Sequence, residues 1–170
     1  MPFEYLINVT SVINVLKAHN TTTASPDLSL SLASGRISDD NIQNTDPEIV
    51  MTRNDGFPAI FVRISNKDEA FQGVGRTGNT SDRVRKEGKV TYDVIGFVQK
   101  ESARLSHESL LNDAYILARN IEGVFQKEFD LSGTALWCNP GSTDFYGPFE
   151  VKGSWLKTVL VRLEAKYLFR

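Results

Sequence analysis

Apolar residues recur along this chain with two periods, one near 3.6 residues and one of two, and the alternation between them predicts the order of elements. From Phe3 to His19, Leu6, Val9, Ile13 and Leu16 fall at steps of three and four, so an amphipathic helix is expected. Asn20, Thr21 to Thr23, Ser25 and Pro26 interrupt the pattern, after which Leu28, Leu30 and Leu32 alternate with serines as in a short strand. Ser34 to Pro47 is polar and acidic and reads as a surface loop. Phe57 to Ser65, with Ile60, Val62 and Ile64 set against Ala59, Phe61 and Arg63, predicts a strand partly buried on both faces. Pro58 belongs at its start or on an edge, since it cannot donate to the ladder.

Lys89 to Gln99 repeats the period of two, with Val90, Tyr92, Val94 and Val98 on one face, and is expected to pair with the preceding strand as an antiparallel hairpin. The intervening Asn66 to Gly88 is much longer than the roughly two to five residues a hairpin needs, and reads as a flexible insertion. Ser106 to Phe129 carries Leu110, Ala114, Leu117, Ile121 and Phe125 at helical spacing, with Ser106 as cap and Leu105 stapled onto Leu110. Asp130, Ser132 and Gly133 end that helix. Leu136 to Cys138 starts a strand before a turn region from Gly141 to Gly147. Trp155 to Tyr167 sets Trp155, Val159, Val161, Leu163, Ala165 and Tyr167 opposite Arg162, Glu164 and Lys166, as a long closing strand requires. The expected fold is α+β: a single domain over 1–170, with an antiparallel or mixed sheet packed against helices and a long hairpin loop at 66–88.

Composition narrows the chemistry. A formal charge of −2 gives no field that would draw the whole molecule onto nucleic acid or an anionic membrane. The single cysteine, Cys138, excludes an intrachain disulfide, and no Cys/His spacing suggests zinc. No segment reads as a signal peptide or membrane span. Gly73, Gly75 and Gly78 match GxGxxG, but no strand leads directly into them and no helical stripe follows, so a loop is preferred to a dinucleotide site. A phosphate loop at Gly88 and Lys89 fails, since Val90 stands where Ser or Thr is needed and Arg83 where the first glycine belongs. His19 and His107 read as solvated or capping residues, Cys138 as a small buried hydrophobe, and Asp39, Asp40, Asp46 and Glu48 as a solvated acidic loop without calcium-loop spacing. No catalytic, cofactor or metal residue is assigned. Trp137, Phe145, Tyr146 and Phe149 are expected to pack in the core, with a protein interface as the second reading. The basic residues Arg76, Arg83, Arg85 and Lys86, with Lys89 beside them, are the candidate functional group: either a solvated charged loop, or one that orders against another subunit or lines a channel passing DNA through phosphate contacts alone.

Taken in order, the N-terminal helix, FPAIFVRI and KVTYDVIGFVQK as a hairpin, LLNDAYILARNIEGVF as a helix and WLKTVLVRLEAKYLF as a closing strand resemble the phage tail terminator family. That resemblance implies a virion protein without catalysis, assembled in the host cytoplasm. It further implies a homo-oligomeric ring of six that caps the tail tube protein, stops tube growth and joins a head-completion or neck protein. Other tail or neck subunits, namely a tail tube or head completion protein, are the alternative, ahead of a nucleotide- or nucleic-acid-binding domain. The polar stretch from Ser34 to Asp55 is more elaborate than the resemblance implies.

Overall fold

The computed structural model describes residues 4–20, 37–45, 57–71, 86–101 and 107–169. Its elements are α1 (Tyr5–Ala18), a single 3-10 turn (Asp39–Asn41), β1 (Ile42–Gln43), β2 (Ala59–Phe71), β3 (Lys86–Glu101), α2 (His107–Lys127), β4 (Trp137–Val151) and β5 (Ser154–Phe169). One mixed sheet runs in the order β1-β2-β3-β5-β4, antiparallel except for the parallel β1–β2 pair, so the domain is α+β as expected. The predicted strand at Leu28–Leu32 and the Ser106 cap lie outside the described residues.

Both helices lie on one sheet face, α1 over β1 and β2, α2 over β3, β5 and β4. The period of two in β3 sends Val90, Tyr92, Val94 and Val98 into the core beneath them, and β5 adds Val159, Val161, Leu163, Ala165 and Tyr167. From α2 come Leu110, Ala114, Leu117, Ile121 and Phe125, the whole predicted stripe. At Gly96 the helix packs tightly against the strand: a Cβ there would stand 2.6 Å from Leu117 Cδ2. In α1 the stripe is buried from Val9 onward, with Val12 and Val15 added, but Leu6 is 69% exposed. Helical spacing places residues on a common face; it does not cover that face along its whole length.

Three expectations need correction. The insertion at 66–88 is shorter, because β2 and β3 keep pairing out to Phe71 and Lys86 past a register shift between Ile64 and Asn66. Asn66 to Glu69 are polar, so no alternation of apolar residues marks this extension of the strand. The acidic stretch contains β1, held parallel to β2 through Ile42↔Ile60, with Ile42 buried. The expected turn region from Gly141 to Gly147 is instead the middle of β4, which absorbs its glycines and prolines through irregularities at Pro140/Thr143 and Tyr146/Phe149. The reversal comes later, at Lys152 and Gly153, whose φ values of 50° and 79° suit a two-residue hairpin turn.

Replacing Gly96 by Val should overpack the α2–sheet contact and lower unfolding stability by about 1–3 kcal/mol. Urea melts of Gly96→Val, Leu117→Ala and the double variant check this: the glycine substitution should cost less once Leu117 is truncated.

Candidate assembly surface

The sheet face away from the helices divides into an apolar half and a charged half. Ala59, Phe61, Ile95, Phe97 and Leu160 form a second small core, Phe97 lying 5.7 Å edge-on to Phe61 and 6.0 Å from Phe57 between ring centroids. Beyond it the same alternation brings up charges. Lys89 and Lys166 stand directly opposite each other across β3 and β5, an arrangement that repels. Each turns to a diagonal partner instead, Lys89 to Glu164 at 2.7 Å and Lys166 to Glu87 at 2.6 Å. Next along, buried Asp93 accepts from Arg63 Nε at 3.2 Å, and Arg162 reaches it at 3.9 Å while holding Asp144 at 2.9 Å. Four cations thus meet four carboxylates, and this half of the face is locally neutral.

The other surface feature is the free edge of the sheet. β4 ends the strand order, so its outer side has no strand neighbour among the described residues. Along it Phe145, Tyr146 and Phe149 are 38%, 45% and 41% exposed, contrary to the expected core packing of this aromatic group. Phe145, opposite Val159, meets Tyr115 of α2 edge-on at 5.1 Å on the helix side, whereas Tyr146, opposite Thr158, and Phe149, opposite Leu156, lie on the other face of the strand. Trp137, at the start of β4, is half-buried. The signal that identifies this strand as an edge is in the sequence: Pro140 and Pro148 lack the N–H an interior strand needs.

Of the basic group, Arg76, Arg83 and Arg85 lie outside the described residues, as do Gly73 to Gly78, Asp46 and Glu48. Lys86 opens β3, its backbone in register with Phe71 and Phe169, rather than sitting in the insertion. Lys89 lies in the ion-pair lattice. His107 begins α2. His19 follows α1, is buried rather than solvated, and sits 3.2 Å from Glu128 Oε1 just beyond α2, so it ties the ends of the two helices. Beside it Asn20 donates to Ile37 O at 2.8 Å and Asp39 Oδ1 at 2.6 Å, fixing the segment that leads into β1. Asp39 therefore serves the fold; among the described residues no three His, Cys, Asp or Glu side chains gather as a metal site.

Cys138 lies in the helix-side core near Tyr92 and Tyr167, whose hydroxyls share a hydrogen bond of 2.6 Å. Burial pushes the Cys138 thiol up to about 12 and Tyr167 also to about 12, and raises Tyr92 further, as removal from water does to any group that ionises to an anion. A thiol so held is a poor nucleophile, in keeping with the small-hydrophobe reading. Comparison with protein-family models and with curated proteins gives no match. No helix among the described residues is long and apolar enough to cross a membrane.

These shifts set an alkaline limit. The unfolded chain releases its thiol and phenol protons near pH 9 and 10, whereas the folded protein keeps them, so stability present below pH 9 falls as pH rises toward 12. Denaturant melts from pH 7 to 11 should show this decline, and Tyr167→Phe should flatten it while costing about 1–2 kcal/mol at pH 7 for the lost Tyr92 partner.

Proposed function

We propose that this chain is a structural subunit of a phage tail that closes, through copies of itself, into a ring capping the tail tube. The observation that carries the reading is the outer edge of β4, which has no strand neighbour among the described residues and carries exposed rings on both of its faces. A sheet that stops at an open strand beside unburied rings suits an assembly partner better than bulk water. The order of elements that resembles the tail terminators supports the same reading. In it the chain stops tube growth, presents a surface to a head-completion or neck protein, and lets DNA pass without reading its sequence. The neutral charge lattice fits that role, since paired charges hold no phosphate tightly. The basic residues Arg76, Arg83 and Arg85 supply the contact with a neighbouring subunit or with passing DNA.

Light scattering at several concentrations, with micrographs of tail ends, tests the assembly: rings, expected to hold six copies, support it, and a strict monomer absent from tail ends overturns it. A second measurement concerns the basic residues. Replacing Arg76, Arg83 and Arg85 with Glu should leave stability within about 0.5 kcal/mol of wild type, since none of them belongs to an apolar stripe of the sequence. The yield of head-joined tails should nevertheless fall, because reversed charges at an interface cost several kcal/mol. Lys86 is left unchanged because its backbone belongs to the β3 ladder.

A further inference from the structure

Arg162 of β5 stands directly opposite Asp93 of β3, which in turn stands opposite Arg63 of β2. The three side chains form one row across the sheet face away from the helices. Arg63 Nε donates to Asp93 Oδ2 at 3.2 Å. Arg162 does not complete the row: its Nε stays 3.9 Å from Asp93 Oδ1, and that oxygen is buried with no hydrogen-bond partner among the described residues. The guanidinium is turned the other way. Its Nη1 donates to Asp144 Oδ2 at 2.9 Å and to Ser142 Oγ at 3.2 Å, both on the edge strand β4.

Ser142 belongs to an irregularity of that strand. Pro140 is in register with Leu163 and Thr143 with Val161, so Arg162 faces two residues, Gly141 and Ser142, where a regular ladder allots one. Its side chain therefore ties down a stretch of edge that regular pairing does not. The two resting places open to the guanidinium differ in kind. Arg162 and Asp144 are 42% and 43% exposed, and an ion pair so open to water contributes little. Asp93 is 7% exposed, and a buried carboxylate oxygen without a donor is costly. Closing from 3.9 Å to the roughly 2.9 Å of a charge-assisted bond would supply that donor. Two acceptors outside balance one buried acceptor inside, so whether Asp144 is available decides between them.

Resting on the assembly reading above, we infer that Asp144 receives a cationic side chain of a neighbouring copy, and that Arg162 then closes on Asp93. Asp144 is the one charged residue from Asn139 to Phe149, so it is the carboxylate that an ammonium or guanidinium group meets along this part of the edge. In most contacts the newcomer would leave the displaced arginine unpaired. Here that arginine gains the second oxygen of Asp93, so the exchange strands no charge. An incoming anion gains nothing comparable, because drawing Arg162 toward itself would leave Asp144 without a partner. Once Arg162 has moved, the irregularity at Gly141 and Ser142 is free to take the shape the neighbouring copy requires.

NMR of the arginine side chains, with Arg162 assigned through Arg162→Lys, tests the movement. In Asp144→Ala the exchange of the Arg162 Nε proton with water should slow about tenfold, as protection by a buried acceptor does, and the Asp93 Cγ shift should move with it. No change in either signal means that Arg162 has a single resting place, and overturns the inference. Light scattering tests the partner: Asp144→Lys should weaken self-association about tenfold, through like charges brought together, at an unchanged melting temperature. Unchanged self-association removes Asp144 from the contact and overturns the inference as well. A wild-type chain that stays monomeric at every concentration overturns the assembly reading and the cationic partner with it, while the NMR comparison, made on that monomer, still decides whether Arg162 moves.

Discussion

The uninterrupted antiparallel pairing of β3 with β5, from Lys86↔Phe169 to Glu101↔Ser154, is the constraint on which the rest of the domain depends. These two strands are far apart in sequence, and the chain between them supplies α2 and β4. Pairing them therefore brings α2 back across the sheet and leaves β4 on the outside. The buried Tyr92–Tyr167 bond spans this pair, and its geometry requires both strands to hold one register. A slip of β3 by one residue against β5 would send Val90, Tyr92 and Val94 to the far face and bring Lys89 and Asp93 under the helices.

Register is enforced from the far face too. The opposed Lys89 and Lys166 are tolerable because each finds a carboxylate one step along the neighbouring strand. Individually such exposed pairs contribute little, about 0–1 kcal/mol each. Asp93 is different, because its carboxylate is buried and Arg63 and Arg162 converge on it from the two adjacent strands. Removing those arginines would leave a buried charge poorly compensated. The helix side thus excludes wrong registers by apolar burial, the far side by charge.

What the sequence disclosed follows from where the physics was local. The α2 stripe and the alternation in β3 and β5 each repeat a single period over many residues, and both were readable. β1 was hidden because two residues hold no period; Ile42 belongs to the sheet through its parallel partner Ile60, which lies beyond Pro58. β4 was misread because its glycines and prolines are turn residues elsewhere, and only the knowledge that it is an edge reconciles them with a strand. The exposure of Phe145, Tyr146 and Phe149 follows from that same position. His19 reads from the sequence as a solvated or capping residue and Asn20 as an interruption of the helical pattern, yet their partners Glu128, Ile37 and Asp39 lie in other segments that no local pattern connects to them.

The two prolines and two register shifts of β4 have a consequence for the chain before it meets any partner. An open strand rich in aromatic residues is the usual starting point for accretion of misfolded chains, because any extended segment can add to its exposed amides. Pro140 and Pro148 remove donors near either end of this edge, and the irregularities beside them break its straight run. A growing fibril needs a longer unbroken template than the one that remains. The edge can thus stay apolar enough to be gripped by a shaped surface while remaining a poor seed for indiscriminate stacking.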